Sequence, residues 1–307
     1  MCRKVVAVEK VRIITKNMIL YSLKEDNPKQ FFQFGKTLAE TDFWGKKARY
    51  LRGDLERFQE FLDYMKPFKP KCFLVAKEND RFIGFIVAAY NPAWMAELRD
   101  RYGYGVEKRA YILGMAVVRR RVDVLKALTN EMMDYFSKEG VRVAEYPTLG
   151  NVCLTTGTDV LTSENVDSLI LFREAGFKIS ECYYSMNLDL DSYRPETRSP
   201  VRGAFRVEEG KIEILEKNRV LGKVTWNPVE NDKTNIGMYV EPAYRGKGFG
   251  AALMAKALEK LKTDGAKVIE LGVDGNNLPA LKLYRKFGFT VFKTHFYILV
   301  RSGMPIT

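Results

Sequence analysis

A glycine-rich stretch in the last quarter of the chain has the residue types of an anion-binding loop. In EPAYRGKGFGAAL, residues 241–253, three glycines fall within five positions directly after Arg245. Glycine lets the backbone turn or approach a ligand where a side chain would block it. The loop joins a strand to a helix, and the free N–H groups at a helix start suit a phosphate or pyrophosphate. Arg245 and Lys247 add positive charge at the rim, so this stretch predicts a site for a phosphorylated ligand.

Two other phosphate-binding motifs fit the sequence poorly. Nothing in it matches the Walker pattern GxxxxGK[ST]. A dinucleotide fingerprint can be forced onto Gly246, Gly248 and Ala251, but that fingerprint follows its strand through a tight turn of a parallel sheet. Here the five residues 241–245 separate the strand from the first glycine, and the preceding strands have the pattern of antiparallel hairpins. The pattern RxxGxG between a strand and a helix is the interpretation that remains.

Hydrophobic periodicity places the loop among alternating strands and helices. In the last third of the chain the pattern predicts, in order, a hairpin with a turn at 217–218, a strand over 235–240, a helix over 249–261, a buried strand over 267–273, a helix ended by Gly288 and a closing strand. The first half repeats this order after two early helical stretches, near 28–40 and 54–65. The repeat places Phe172 over Tyr284, and a glycine-free RRRVDV over RGKGFG.

A polar stretch between the two repeats indicates a domain boundary. Residues 189–205 contain two prolines and show no hydrophobic period. We therefore predict an N-terminal domain over 1–190, a linker over 191–204 and a C-terminal domain over 205–307. The fold class that follows is α/β (α+β), with a mixed, mostly antiparallel sheet flanked by helices in each domain.

The motif VEPAYRGKGFGAAL followed by NNLPALKLYRKFGF resembles the GNAT superfamily of acyl-CoA-dependent N-acetyltransferases. The resemblance covers 205–307 and reaches 70–190 only as a degenerate copy, an arrangement similar to the mycothiol-synthase type. It implies acetyl-CoA as cosubstrate, no metal, pantetheine paired to the backbone of Met238 and Val240, and contact of Asn277 with the cofactor. The pyrophosphate-binding segment that it implies consists of Arg245, Gly246, Lys247, Gly248, Phe249, Gly250 and Ala251.

The resemblance also implies that Tyr284 lies near the sulfur of the thioester. An amine that attacks a thioester builds negative charge on the carbonyl oxygen, which a fixed N–H such as that of Val240 can stabilise. A phenol has a reference pKa near 10 and a thiol one near 8.5, so Tyr284 suits the role of hydrogen-bond donor to the departing thiolate. The alternative is that Tyr284 is a core aromatic residue before the glycine that ends its helix.

The sequence does not identify a general base. Some members of the superfamily carry an acid just before the valine of the fifth strand, whereas this chain has Gly272 there. Glu241, Glu270 and Asp232 are near in sequence, but each is also explained as a solvated charge. Water or another residue therefore has to accept the proton of the amine.

Composition limits the remaining classes of function. The single histidine, His295, argues against a metal site built from imidazole and favours a structural role. The four cysteines show no CxxC spacing, which favours buried thiols. No apolar run reaches membrane-spanning length and no signal peptide is recognisable, so we expect no membrane partner and a cytoplasmic location. The net charge of +12 permits nucleic-acid binding, but the charge is dispersed and also suits a phosphorylated ligand.

These features predict an N-acetyltransferase in which an amine attacks the thioester of acetyl-CoA directly. The alternatives are a non-catalytic acyl-CoA-binding regulatory protein and a nucleic-acid-binding protein, the latter supported by charge alone. Before the strand at 235 the second half has room for a hairpin but not for the two helices that wall the acceptor site in the superfamily. We therefore expect a small-molecule or peptide amine to bind between the two domains. The identity of the acceptor and the oligomeric state do not follow from the sequence.

Overall fold

A computed structural model gives the fold of the chain. It describes residues 8–14, 18–23, 42–43, 46–47, 63, 68–79, 81–90, 108–118, 121–146, 161–164, 166–193, 201 and 204–302. The chain divides into two compact units, unit 1 with residues 1–180 and 296–307, and unit 2 with residues 181–295. This division falls inside a strand rather than in the predicted linker over 191–204.

Unit 1 contains a mostly antiparallel sheet with helices. Its strands are β1 (Val8–Ile13), β2 (Met18–Leu23), β5 (Lys71–Glu78), β6 (Arg81–Ala89), β7 (Arg109–Val117) and β8 (Val143–Tyr146), with a separate short pair β3 (Asp42–Phe43) and β4 (Lys46–Lys47). Its described helices are α1 (Val122–Lys138) and α2 (Val166–Glu174). The main sheet runs in the order β1-β2-β5-β6-β7-β8, and among these pairs only β7 and β8 are parallel.

Unit 2 has the same plan and carries the glycine loop. Its elements are β9 (Lys178–Asp189), β10 (Ala204–Glu208), β11 (Lys211–Glu216), β12 (Arg219–Trp226), β13 (Lys233–Val240), a 3-10 turn at Pro242–Tyr244, α3 (Phe249–Thr263), β14 (Val268–Asp274), α4 (Leu278–Lys286) and β15 (Thr290–Arg301). Both β9 and β15 cross the division between the units, so that residues 178–180 and 296–301 belong to unit 1. The sheet order is β15-β9-β14-β13-β12-β11-β10, with β13 and β14 parallel. The predicted fold class, a mixed and mostly antiparallel sheet with flanking helices, is confirmed.

Most of the predicted elements of unit 2 are present. Lys217 and Asn218 form the predicted hairpin turn and both have positive φ, 47° and 65°, as a tight turn between twisted strands requires. The α3 helix buries Leu253, Ala257 and Leu261 on the predicted face. The two early helices predicted near 28–40 and 54–65 lie outside the described residues, apart from the single helical residue Asp63.

The last strand of each repeat completes the sheet of the other unit. After α2, β9 pairs along its length with β14, from Tyr183↔Asp274 to Asp189↔Val268. After α4, the end of β15 pairs with β8 over residues 298–301. The sequence prediction placed all of 178–190 in the first domain. That placement does not match the compact units, because the partner of β9 is a strand of unit 2.

The structure also describes two of the cysteines and the helices that were considered for membrane binding. Of the two cysteines that the structure describes, Cys72 is buried and Cys182 is half-buried, and both are free thiols. Within the described ranges, no helix has both the length and the hydropathy needed to cross a membrane.

Candidate functional site

The glycine loop presents a helix start that no side chain caps. Gly248 is the N-cap of α3, and its φ of 89° lies in the left-handed region that glycine adopts without strain. No side chain of the described residues caps this helix start, and its first turn contains no acidic residue. The amides of Phe249, Gly250 and Ala251 therefore keep unpaired N–H groups at the positive end of the helix dipole. This arrangement fits an anion such as a pyrophosphate.

The other helix starts differ from that of α3. At α4, the side chain of Asn277 accepts a hydrogen bond of 3.2 Å from the amide of Ala280. At α1, Arg121 takes the N-cap position and donates hydrogen bonds of 2.8 and 2.7 Å to Asp123 in the first turn. Arg121 also donates two hydrogen bonds of 3.1 Å to Glu78. The start of α4 is thus capped by a side chain, whereas the start of α1 has no side-chain cap but carries the carboxylate of Asp123 in its first turn.

Strands β13 and β14 separate beside the glycine loop. Their parallel pairing covers only Lys233–Asn235 against Val268–Glu270, although β13 continues to Val240 and β14 to Asp274. The amide of Glu241 donates to Leu221 on β12, so the alternation along β13 directs the amides of Val240 and Met238 to the opposite side, into the opening. The opening therefore offers backbone groups to an extended ligand.

The basic residues of the loop are held by aromatic rings and by backbone. Arg245 donates a hydrogen bond of 2.9 Å from Nε to the carbonyl oxygen of Val240, and its guanidinium lies 5.8 Å from the ring centroid of Tyr239. Lys247 Nζ lies 5.5 Å from the ring centroid of Tyr244. Arg219 lies 5.8 Å from the same ring, although the sequence analysis did not select it. The loop is thus positively charged at its rim, as predicted.

Gly250 brings the start of α3 close to α4 and to the open strand. A Cβ atom at this position would lie 3.2 Å from Leu283 Cδ2, closer than most side-chain contacts, and at an ordinary contact distance of 3.7 Å from Met238 Cε. Met238 itself packs against the core of unit 2. The predicted residues Met238, Val240 and 245–251 therefore lie along one continuous edge of unit 2, whereas Asn277 is occupied as the cap of α4.

Tyr284 is a buried phenol on α4. Only 7% of its surface is exposed, and its ring lies 5.9 Å from that of Phe289. Burial, together with the neighbouring Tyr183, raises the pKa of Tyr284 above that of a free phenol. The hydroxyl therefore stays protonated at neutral pH and can act as a hydrogen-bond donor.

Tyr183 of β9 lies over Gly272, the position at which the sequence has no acid. A Cβ atom at Gly272 would lie 1.5 Å from the hydroxyl oxygen of Tyr183, so no larger residue fits there with Tyr183 in this position. Burial, with the charge of Asp274 on the next strand, raises the pKa of Tyr183. Sequence reasoning missed Tyr183, because only the pairing of β9 with β14 brings it to Gly272.

The single histidine lies in the same cluster. His295 is 6% exposed, and its Nε2 lies 2.9 Å from Ser185 Oγ. Its ring lies edge-on to Tyr183, with a centroid distance of 5.8 Å. Ser185 is the direct cross-strand partner of Gly272. The sequence analysis selected neither residue for chemistry, and the strand-like surroundings of His295 suggested a structural role.

The carboxylates considered from the sequence differ in their surroundings. Asp232 forms an ion pair of 2.7 Å with Lys267, and Glu241 lies 3.5 Å from the hydroxyl of Tyr239 at the surface. Glu270 ends the stretch of β14 that pairs with β13. Among the described residues, no group of three or more His, Cys, Asp or Glu side chains is arranged to hold a metal ion.

Comparison with known proteins shows what this part of the chain is similar to. Residues 178–289 match the model of the Acetyltransferase (GNAT) family. Among curated proteins, the chain is 40% identical over 52 residues to an uncharacterized N-acetyltransferase, MJ1207, of Methanocaldococcus jannaschii, covering 17% of this chain and 23% of that protein. It is 42% identical over 53 residues to a mycothiol acetyltransferase of Corynebacterium glutamicum, covering 17% of this chain and 18% of the relative.

A third relative has a longer matched share. The chain is 32% identical over 78 residues to the [ribosomal protein bS18]-alanine N-acetyltransferase of Haemophilus influenzae, covering 25% of this chain and 53% of that protein. The chain thus spans about half or less of the length of these relatives. Each of these relatives has a name that describes an acetyltransferase.

Solved structures show the fold over nearly the whole chain. A probable N-acyltransferase of Enterococcus faecalis has a TM-score of 0.56 at 10% identity, covering 92% of this chain and 72% of that one. A tandem GNAT protein from the clavulanic acid biosynthesis pathway has a TM-score of 0.52 at 13% identity, covering 94% and 99%. At such identities the likeness concerns the fold alone.

Proposed function

We propose that this protein is an N-acetyltransferase that moves an acetyl group from acetyl-CoA to an amine. The observation that carries the proposal is the uncapped start of α3 beside the point where β13 and β14 separate. An anion site next to an open strand edge suits a ligand with a pyrophosphate at one end and an amide-rich chain at the other. Acetyl-CoA has both groups.

In this proposal the loop holds the pyrophosphate and the open strand holds the pantetheine. The amides of 248–251 bind phosphate oxygens, with Arg245 and Lys247 at the rim. The amides that β13 directs into the opening, at Met238 and Val240, pair with the pantetheine. Asn277 fixes the start of α4 through Oδ1, which accepts from the amide of Ala280, and in this proposal its side-chain NH2 group contacts the cofactor.

Two groups of this chain serve the chemistry in the proposal. The amide of Val240 stabilises the negative charge that develops on the carbonyl oxygen during attack. Tyr284 donates a hydrogen bond to the sulfur as the C–S bond breaks. Its raised pKa favours this role, because the phenol stays protonated and has its proton to offer.

The acceptor class remains broad. The relatives have names that refer to mycothiol, phosphinothricin, methionine sulfoximine and a ribosomal protein alanine. We propose an amine of a small molecule or a peptide as acceptor for this chain. The prediction that the acceptor binds between the two domains stays a prediction.

A panel of acceptors tests the function. The full chain is incubated with acetyl-CoA and with amino acids, aminoglycosides, polyamines and peptides, and release of free thiol is followed while calorimetry measures binding of CoA. The proposal expects binding of CoA and thiol release that depends on one class of amine. Binding of CoA without thiol release from any amine would favour the regulatory alternative, and no binding of CoA would contradict both.

A further inference from the structure

The face of β14 opposite to the core lies next to the opening between β13 and β14. Along β14 the side chains of Ile269, Leu271 and Val273 are buried in the core of unit 2. Because side chains alternate along a strand, Gly272 and its neighbours 270 and 274 face the other side. Beyond residue 270, β14 no longer pairs with β13 but remains paired with β9. A thioester lying in the opening would therefore have β9 side chains next to Gly272 as its nearest neighbours across β14.

Two hydroxyl groups of β9 lie at Gly272. Ser185 is the direct cross-strand partner of Gly272, so both residues face the same side of the sheet. Tyr183, two residues earlier on β9, extends diagonally until its hydroxyl covers the position of a Cβ atom at 272. Among the described residues, no hydrogen bond engages this Tyr183 hydroxyl. The hydroxyl is thus able to bind a group that is not part of these elements.

His295 extends the cluster by one hydrogen bond. Its Nε2 lies 2.9 Å from Ser185 Oγ, and the imidazole is buried beside the Tyr183 ring. A neutral imidazole can accept the proton of a hydroxyl group while that hydroxyl takes a proton from a third group. Nucleophile–histidine pairs use the first of these transfers. Ser185 and His295 therefore have the composition and the distance of a proton-accepting pair.

We propose that Ser185, supported by His295, accepts the proton that the attacking amine loses, and that Tyr183 positions this amine; the proposal rests on the acetyl-transfer function above. As the nitrogen forms its bond to the carbonyl carbon, one N–H proton passes to Ser185 Oγ and the Ser185 proton passes to His295 Nε2. The C–S bond breaks with its electron pair on sulfur, which takes a proton from Tyr284. The imidazolium returns its proton to Tyr284 through solvent, so nitrogen loses and sulfur gains one proton overall.

This assignment explains the glycine on the fifth strand of the domain. A carboxylate side chain at position 272 would occupy the volume of the Tyr183 hydroxyl. The β14 strand therefore has no acid at this position, and the polar groups there are Tyr183 and Ser185 of β9. Ser185 is then the catalytic residue that touches the amine. His295 acts through Ser185, and Tyr183 is a positioning residue.

The tautomer of His295 tests the proposal without any acceptor. The sequence contains one histidine, so a 15N-labelled full-length chain gives a single imidazole spectrum. At pH 8 we expect Nε2 unprotonated and Nδ1 protonated, with the Nε2 signal shifting in Ser185→Ala. A protonated Nε2 would overturn the proposal, because that nitrogen could not take the serine proton.

Variants test the role in turnover. With the amine that the panel selects, Ser185→Ala and His295→Gln should each lower kcat by about 100-fold or more, while binding of CoA by calorimetry stays unchanged. Ser185→Thr keeps the hydroxyl and should retain kcat within about tenfold. Tyr183→Phe should mainly raise the KM for the amine. The matched control is Thr290→Val, which removes another hydroxyl that bonds across β9 and β15, to Asn187 at 3.1 Å, and should leave kcat within about twofold.

The outcomes separate the two proposals. If wild type transfers acetyl and Ser185→Ala does so equally fast, the proton-accepting role is wrong and the acetyltransferase function stands. If Ser185→Ala and Thr290→Val lose activity equally, the effect is one of sheet pairing and the proposal also fails. If wild type binds CoA but transfers acetyl to no amine, the proposed function is contradicted and this assignment with it.

Discussion

A substitution at Gly248 would have two physical effects, one on the backbone conformation of the loop and one on its charge. Any side chain at this position has to adopt a positive φ and would lie 3.0 Å from Val201 Cγ2. A change from glycine to glutamate would therefore disturb the loop even if no phosphate bound there. Asparagine and aspartate provide a better comparison, because both tolerate the left-handed region and they have nearly the same size.

We predict that Gly248→Asp weakens binding of CoA at least about tenfold more than Gly248→Asn does, which corresponds to about 1.4 kcal/mol. The two variants share the steric cost, so the difference reports the repulsion between the carboxylate and the pyrophosphate. Calorimetric titration with CoA measures both. Equal affinities of the two variants would show that no phosphate lies at this helix start.

The variant Tyr284→Phe distinguishes a hydrogen-bond donor from a side chain that only packs in the core. The ring stays in its packed position against Phe289, so the fold and the affinity for CoA should be unchanged. The turnover number should fall about 10- to 1000-fold, because the thiolate loses a positioned proton donor. Steady-state kinetics with saturating acceptor measures this. Unchanged turnover would show that Tyr284 is only a core residue, as Phe172 is in unit 1.

The positions of several proposed site residues could be predicted from the sequence because they depend on local structure. The loop around Gly248, the strand residues Met238 and Val240 and the helix residue Tyr284 lie within one continuous strand–helix–strand–helix segment. Tyr183 and Ser185 could not be predicted in this way. Their contact with Gly272 depends on which strand pairs with β14, and nothing in the local pattern specifies that partner.

At the scale of elements, the two corresponding helix starts have opposite electrostatics. The start of α3 is uncapped and basic, whereas the start of α1 already carries Asp123 and its partner Arg121. Hydrogen bonds from Arg121 hold the pKa of Asp123 below its usual value, so that this carboxylate is charged at neutral pH. An anion approaching α1 would therefore meet a negative charge.

We predict that the chain binds one CoA, in unit 2. Lys247→Ala should weaken binding of CoA several-fold, whereas Arg121→Ala, at the corresponding position of the first repeat, should leave it unchanged. Calorimetry gives both the stoichiometry and the affinity. A stoichiometry of two, or an equal loss of affinity in both variants, would show that α1 also binds the cofactor.

The elements themselves were predictable to different degrees. Amphipathic periodicity identified α3 and α4, and the turn at 217–218 identified the hairpin of β11 and β12. The β9 strand was not predicted as a strand of unit 2, because KISECYYSMNLD has polar or aromatic residues on both faces. Its buried residues Met186 and Leu188 alternate only over its last part, so the sequence pattern alone suggests an irregular stretch before the predicted linker.

At the scale of the whole molecule, the strand exchange determines where the chain can be divided. Residues 192–307 would lack β9, which contributes Met186, Leu188 and Leu190 to the core of unit 2. Losing buried leucine and methionine side chains costs about 2–5 kcal/mol each, so this fragment should not fold. Residues 178–295 keep β9 and should fold and bind CoA with the affinity of the full chain.

Circular dichroism and calorimetry on the two fragments, beside the full chain, measure this difference. Acetyl transfer by 178–295 also tests the prediction that the acceptor binds between the two domains. The prediction expects slow transfer despite full affinity for CoA. Transfer at the full rate would show that residues 1–177 contribute nothing to the acceptor site, and a folded 192–307 would show that β9 is dispensable.

The exchanged strands also bear on the order in which a ribosome releases the chain. Domains generally fold in the order of their synthesis, but the core of unit 1 includes Ile298 and Val300, which lie in β15. The β9 strand of unit 2 is synthesised before β10. Unit 1 is synthesised first, but the outer edge of β8 stays unpaired until all of unit 2 has been translated. The repeat that starts first is therefore the last to be finished, and nascent chains stalled before residue 296 should expose that edge to chaperones.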